Sequence, residues 1–131
     1  MATFTVDLRN PNEQTLQEEE QALAGYLKEL ATSEGVTIRS EQLVRFNPVT
    51  FDQTIVQLIE QVTSDHDLQS RRMTSGAGHD AQMMARICPT AMIFVPSIDG
   101  ISHNPKEYTT DSDLIVGANV LLNVVSQLTG K

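Results

Sequence analysis

Residues 81–97 read AQMMARICPTAMIFVPS, and the fold class turns on them. The first seven residues read as a short helix. Pro89 forbids its extension, because proline has no N–H to donate and its ring collides with the preceding turn. AMIFV, residues 91–95, is then an unbroken apolar run closed by Pro96. A short continuous run of this kind suits a strand buried on both faces, as in a sheet covered by helices. A helix followed at once by such a strand points to α/β packing.

The flanking sequence extends the alternation. After a loop, DGISHNPKEYTTDSD at 99–113, Thr110 with Asp113 forms a capping box. Leu114, Ala118, Leu121, Val125 and Leu128 then make one helical stripe, and Gly130 ends it. Upstream, Thr50 followed by Gln53 fits another capping box. Phe51, Ile55, Leu58, Ile59 and Val62 give the helix behind it, which SDHD terminates. Residues 69–74 read as a short strand, and SGAGHD as a glycine-rich turn. From residue 48 on, the order is helix, strand, helix, strand, helix, which favours helices laid over a sheet.

Asn47-Pro48 marks a boundary. Before it, TFTVDLR at 3–9 alternates cleanly, with Phe4, Val6 and Leu8 on one face and Thr5, Asp7 and Arg9 on the other. Residues 13–34 carry Leu16, Leu23, Leu27 and Leu30 on one stripe, stopped by Gly35. VTIRSEQLVRF, from Val36 to Phe46, reads as a second strand. The two parts, 1–47 and 48–131, therefore look like separate lobes: a strand-helix-strand piece and a piece that alternates helix and strand.

Composition narrows the function. The chain has 131 residues, 40% apolar and 20% charged, which is globular rather than disordered. A net charge of −8 with no basic cluster argues against nucleic acid as a partner. The acidic run Glu18-Glu19-Glu20 is a solvated helix face. Cys88 is the only cysteine, so no intrachain disulfide or cysteine-based zinc cluster forms, and a reduced, cytoplasmic setting is expected. No apolar run reaches the length a membrane span needs, and no signal pattern opens the chain. A soluble protein with no membrane partner is the expectation.

Few residues here can do chemistry. In SGAGHDA, 75–81, two glycines let backbone approach a ligand closely, and the helix start offers free N–H groups to an anion. The plainer reading is a turn with Asp80 as N-cap. The lysine and hydroxyl of a phosphate-binding loop are missing. His103, on the loop after the apolar run, lies where α/β folds often place functional groups. Glu107, four residues on, could orient it; a solvent-exposed histidine is the competing reading. His66 looks like a helix-end histidine with no role. Arg9 is either half of a surface ion pair with Asp7 or a bidentate clamp for a carboxylate. Met73, Met83, Met84 and Met92 read as core filler.

FTVDLR, RRMTSGAGHDAQMMARICPTAMIFVPS and DGISHNPKEYT, taken together and in this order, closely resemble the C-terminal third of the amidase/hydantoinase/carbamoylase family. The resemblance runs almost from end to end. It implies a two-domain, dinuclear-metallopeptidase-like fold. Residues 1–47 would be part of its lid, or dimerisation, domain, and 48–131 the closing part of its catalytic domain. It implies hydrolysis of the carbamoyl or ureido C–N bond of an N-carbamoyl-L-amino acid or N-carbamoyl-β-alanine, or else of allantoate. Two divalent ions (Zn, Mn, Co or Ni) and a homodimer would go with that activity.

The resemblance also implies roles. His103 corresponds to the last protein ligand of the two-metal centre. Arg9 corresponds to the arginine that grips the substrate carboxylate. Ser75, Gly76, Ala77, Gly78 and His79 correspond to the loop lining the substrate pocket. The family's other metal ligands, its general-base glutamate, and the histidine and asparagine of its lid have no counterpart here. A catalytic metal needs about three protein ligands. No catalytic residue is therefore expected in this chain, nor a tightly held metal, and the chain alone is expected to be inactive. Met1 directly before a mid-lid strand points to a cloned piece or a truncated reading frame. The competing class is a non-catalytic module that serves association only.

Overall fold

The computed structural model describes residues 1–130, and its regular elements are helices: α1 (Glu13–Ser33), α2 (Gln53–Asp65), α3 (Asp80–Met84) and α4 (Asp111–Thr129), with a single 3-10 turn at Ile98–Gly100. They belong to two compact units. The first is Met1–Val49 with Thr74–Gly78, and the second is Thr50–Met73 with His79–Lys131.

In the first unit the sequence sets both ends of α1. The Asn12 side chain accepts the Thr15 N–H at 3.0 Å, an N-cap that satisfies one of the helix's open donors. At the far end Gly35 takes φ +63, and the Val36 N–H returns to the Ala31 carbonyl at 3.1 Å. That bond and the left-handed glycine form the closing motif in which only glycine is comfortable. Leu16 is buried, and Leu23, Leu27 and Leu30 are half-buried, so the predicted stripe is the covered side. Arg45 clasps the edge of that stripe. It donates to Glu20 at 2.9 Å, to Glu13 at 2.7 Å and to the Asn47 side chain at 2.5 Å. These bonds hold Glu13's carboxyl below its usual range, with the Arg45 hydrogen bond the leading cause and one from Gln17 next.

In the second unit α2 packs against α4. Val62, Val120 and Val124 form the buried centre, with Leu58, Ile59, Leu68 and Ile93 against it. Asp52, not Thr50, caps α2, accepting the Ile55 N–H at 3.0 Å. A carboxylate next to the first turn outcompetes a hydroxyl two residues earlier. The Asp52 N–H also donates to the Thr90 carbonyl at 2.9 Å, which ties the start of α2 to the 90s segment. His66 closes α2, and its ring nitrogen Nδ1 bonds the Val62 carbonyl at 2.8 Å. Thr110 caps α4 as expected, accepting the Asp113 N–H at 3.2 Å, and its hydroxyl donates to the Asp113 carboxylate at 2.6 Å. Gly130, at φ +69, ends the helix.

The expected strands are the main difference. Among the described residues, 3–9, 36–46, 69–74 and 91–95 carry no ladder hydrogen bonds. Alternation specifies which face of a segment wants covering; it does not supply the neighbouring backbone that makes a strand. The apolar side of 3–9 is correspondingly open, with Phe4 and Val6 exposed, and so are Val44 and Phe46. The 91–95 run is covered at its start and open at its end: Ala91, Met92 and Ile93 are half-buried, Phe94 and Val95 exposed. It nevertheless lies against α4, because a Cβ added at Gly117 would overlap the Val95 side chain. Met73, Met83 and Met84 are exposed rather than core filler. Helix α4 itself is long and apolar enough to cross a membrane by length and composition, a test that the core helix of a soluble protein also passes.

Candidate functional site

Arg9 sits at the end of the alternating 3–9 segment, and the alternation puts it on the same side as Asp7. The side chains meet in a two-pronged pair: Nε donates to Asp7 Oδ1 at 2.9 Å and Nη2 to Oδ2 at 2.5 Å. The third nitrogen, Nη1, donates to the Gly76 carbonyl at 2.6 Å. Arg9 thus reaches, within the first unit, the glycine-rich loop that lies 67 residues further along the chain. Its hydrogen bonds and charge hold the Asp7 carboxyl below the usual carboxylate range, and Asp7 in turn raises Arg9. Both remain accessible, with side-chain exposures of 57% for Arg9 and 62% for Asp7.

The loop has its own bracing. Ser75 Oγ donates to the Ala77 carbonyl at 3.2 Å. A Cβ added at Gly76 or Gly78 would meet nothing within 4 Å. Nothing in the chain's own packing therefore requires these two glycines.

His79, the next residue, belongs to the second unit and is the N-cap of α3. Its Nδ1 accepts the Ala81 N–H at 3.0 Å, so the histidine, not Asp80, fills the capping position. A neutral imidazole that accepts at Nδ1 carries its proton on Nε2.

His103 sits on a loop pinned at its neck. The Ile98 N–H donates to the Tyr108 carbonyl at 2.8 Å, and Ser97 Oγ to the Ile101 carbonyl at 2.5 Å. Within the loop the Asn104 side chain accepts the Lys106 N–H at 3.0 Å, and the Glu107 N–H donates to the Asn104 carbonyl at 2.9 Å. His103 is exposed at φ +54, a left-handed conformation uncommon for a residue with a Cβ. Glu107 does not orient the ring. Its carboxylate accepts the His103 backbone N–H at 2.7 Å, fixing the main chain from which the ring projects. Asp67 and Asp99 take the same conformation, at φ +54 and φ +56.

The structure thus brings Arg9 together with Gly76 in one unit, and places His79 and His103 in the other. No three His, Cys, Asp or Glu side chains among the described residues converge as a metal site. These residues by themselves do not fit a dinuclear centre. Cys88 is exposed, its thiol near the Met84 carbonyl at 3.5 Å. Sequence reasoning gave Asp7 as Arg9's partner in one of its two readings, and it missed Glu107 as a brace on backbone. The first had a signal, an acid two residues from the arginine on an alternating segment. The second had none, because spacing does not distinguish a bond to a ring from a bond to an amide.

Known proteins supply the frame for this geometry. Residues 7–127 match the profile of peptidase family M20/M25/M40. The allantoate amidohydrolase of Bacillus subtilis is 31% identical over 125 residues, covering 95% of this chain and 30% of that protein. The N-carbamoyl-L-amino-acid amidohydrolase of Paenarthrobacter aurescens is 34% identical over 125 residues, again 95% of this chain and 30% of the relative. A crystal structure of a hydantoinase/carbamoylase-family amidase from Burkholderia vietnamiensis superposes with a TM-score of 0.79 at 36% identity, covering 88% of this chain and 28% of that one. The chain therefore spans about three tenths of the length of these relatives. It belongs to peptidase family M20/M25/M40, and its similarity to the carbamoylase-type amidases covers a partial region of them.

Proposed function

We propose that this family member is the C-terminal part of a metal-dependent amidohydrolase that cleaves the C–N bond of a carbamoyl or ureido group on a small carboxylic acid. The observation that carries the reading is Arg9: an accessible guanidinium that joins the glycine-rich loop at Gly76, in a chain matched along 95% of its length by amidohydrolases of this kind. An arginine fork suits a carboxylate better than any other side chain does. In this reading Arg9 and the loop from Ser75 to His79 hold the substrate's acid end. His103 supplies one ligand to a centre of two divalent ions, such as Zn, Mn, Co or Ni, whose remaining ligands and general base lie outside this chain. Residues 1–47 belong to the lid, or dimerisation, domain, and 48–131 to the catalytic domain. The working protein is a cytoplasmic homodimer without nucleic-acid or membrane partners.

The preferred substrate is an N-carbamoyl-L-amino acid or N-carbamoyl-β-alanine. Allantoate is the second reading, favoured by the allantoate amidohydrolases of Bacillus subtilis and Escherichia coli, at 31% and 36% identity. All three present a ureido carbonyl and a carboxylate, so Arg9 does not separate them. The test is ammonia release from each by the complete protein that carries this chain, together with its metal content. His103→Ala is expected to abolish turnover and lose metal. Arg9→Lys is expected to raise KM for the acid with metal retained, since an ammonium cannot reproduce a fork. Allantoate as clearly the best substrate would move the assignment to the second reading. No turnover of any member of the panel would leave the association module.

A further inference from the structure

Arg9 has five N–H donors, and the structure accounts for three. Nε–H and one Nη2–H go to the two oxygens of Asp7, and one Nη1–H goes to the Gly76 carbonyl. Two remain, one on Nη1 and one on Nη2. These terminal nitrogens are a pair that can take the two oxygens of a second carboxylate. The edge already taken by Asp7 is the other one, between Nε and Nη2.

Asp7 ought to be a handicap beside a site for anions, since its charge opposes a second carboxylate. Magnitudes decide the matter. Both side chains are more than half exposed, so the repulsion acts through solvent and is screened. Holding still a side chain with as many rotamers as arginine is worth more, because an immobilised guanidinium loses little freedom when a ligand arrives. A two-pronged grip on one edge, with a backbone carbonyl on the third nitrogen, fixes the plane of the group and the direction of its free donors.

We propose that Asp7 is a positioning residue for carboxylate recognition: it holds Arg9 by its Nε–Nη2 edge, against the Gly76 carbonyl, so that the remaining donors on Nη1 and Nη2 face an incoming carboxylate. This rests on the reading of Arg9 as the substrate's carboxylate clamp. It adds what makes the clamp specific: a planar carboxylate fits two fixed, parallel donors, and an amide with one oxygen does not.

The experiment uses the 131-residue chain labelled with ¹⁵N, with the arginine Nε–H resonances followed during titration with N-carbamoyl-β-alanine and with its uncharged amide. Wild type is expected to show an immobile Arg9 side chain that shifts with the acid and not with the amide. Asp7→Asn, equal in size and neutral, should free the Arg9 resonance and weaken the acid by about five- to tenfold, the scale set by re-ordering one long side chain. Asp7→Glu should recover part of the loss, and resonances of α1 should stay put in both variants, which separates positioning from a folding defect. Equal or tighter binding by Asp7→Asn would overturn the inference and leave the clamp intact, since Asp7 would then only neutralise Arg9. Binding unaltered in Arg9→Ala, or no binding by wild type, would overturn the clamp and the inference together.

Discussion

The substitution Gly117→Ala isolates one contact that gives the apolar run at 91–95 its place. Gly117 lies inside α4, where alanine is favoured over glycine by about 1 kcal/mol. On an unobstructed helix face the change should therefore stabilise. The new Cβ, however, would overlap Cγ1 of Val95. Valine is branched at Cβ and stiff at χ1, so it yields less easily than a long flexible side chain. Forcing a methyl into such a contact costs roughly 1–3 kcal/mol. The net expectation is a loss of about 0–2 kcal/mol in place of the gain that propensity alone would give. Val95→Ala removes the obstructing methyls, and in that background Gly117→Ala should recover the helix gain, stabilising by about 1 kcal/mol. The double-mutant cycle should therefore show a coupling of roughly 1–3 kcal/mol between two sites that are 22 residues apart in sequence. Urea unfolding of the four proteins, followed by helical circular dichroism, reads it. A Gly117→Ala variant that is stabilised by about 1 kcal/mol in the wild-type background would refute the reasoning, because Val95 would then not lie against α4.

Gly35→Ala should destabilise by about 1–2 kcal/mol although a Cβ there meets nothing, since φ +63 is the whole obstacle; a stabilised variant in thermal unfolding would show that α1 ends elsewhere. Arg45 holds Glu13 and Arg72 holds Glu60 below the usual carboxyl value of 4.5, in each case first through the hydrogen bond. A carboxyl lowered in the folded state contributes stability that is present above its unfolded pKa and lost as pH falls through its folded pKa. Urea midpoints should therefore drop below pH 4.5 in wild type, and less so in Arg45→Gln and Arg72→Gln; equal drops in all three would discard these pairs as the cause. Light scattering coupled to size exclusion should find the chain self-associated, with mass rising with concentration, because uncovered apolar segments pair with copies of themselves; a clean monomer at high concentration would mean that the chain covers its own faces.

The presence of the helices was legible because their signals are local, but the face of α4 was not: Leu114, Leu121, Val125 and Leu128 of its predicted stripe stand exposed, and Val120 and Val124 are the buried pair. Leu16 and the half-buried Leu23, Leu27 and Leu30 of α1 fall on the predicted stripe, and Gly35, Thr110 and Gly130 act where their types placed them. A cap needs only its own turn. The start of α2 was misread by two residues, because Thr50, Asp52 and Gln53 offer overlapping signals and only the backbone geometry chooses. The strands were not legible in the same sense. The alternation of Phe4, Val6 and Leu8 is real, but pairing is a property of two segments, and one sequence reports only its own half. The candidate site divides the same way. Arg9 and the 75–78 loop, far apart in sequence, meet at Gly76. The motif flagged the residues, and the fold supplied the bond. His103's left-handed backbone and its Glu107 brace depend on loop geometry that composition does not encode.

The uncovered surface gives these observations a common cause. A folded monomer of 14.5 kDa exposes about 6,900 Å² by the usual scaling of area with mass. This chain exposes 10580 Å². Its buried apolar residues are Leu16, Val62, Val120 and Val124 among those described, while Leu114, Ile115, Leu121, Leu122 and Leu128 of α4 stand exposed. A standard pairwise interface removes about 800 Å² from each partner. The excess, about 3,700 Å², is more than four such interfaces, so a second copy docked on one face would leave most of it uncovered. An α/β sheet with helices on both sides would cover it, and that is where an apolar run such as AMIFV and an apolar helix such as α4 belong. The relatives are about three times as long as this chain. The strand-like segments without partners, the half-covered 91–95 run, the bare face of α4 and a single candidate metal ligand are what three tenths of such a protein would present. They support the reading in which the remaining sheet and the remaining ligands come from the same polypeptide, with self-association as what the exposed faces do without it.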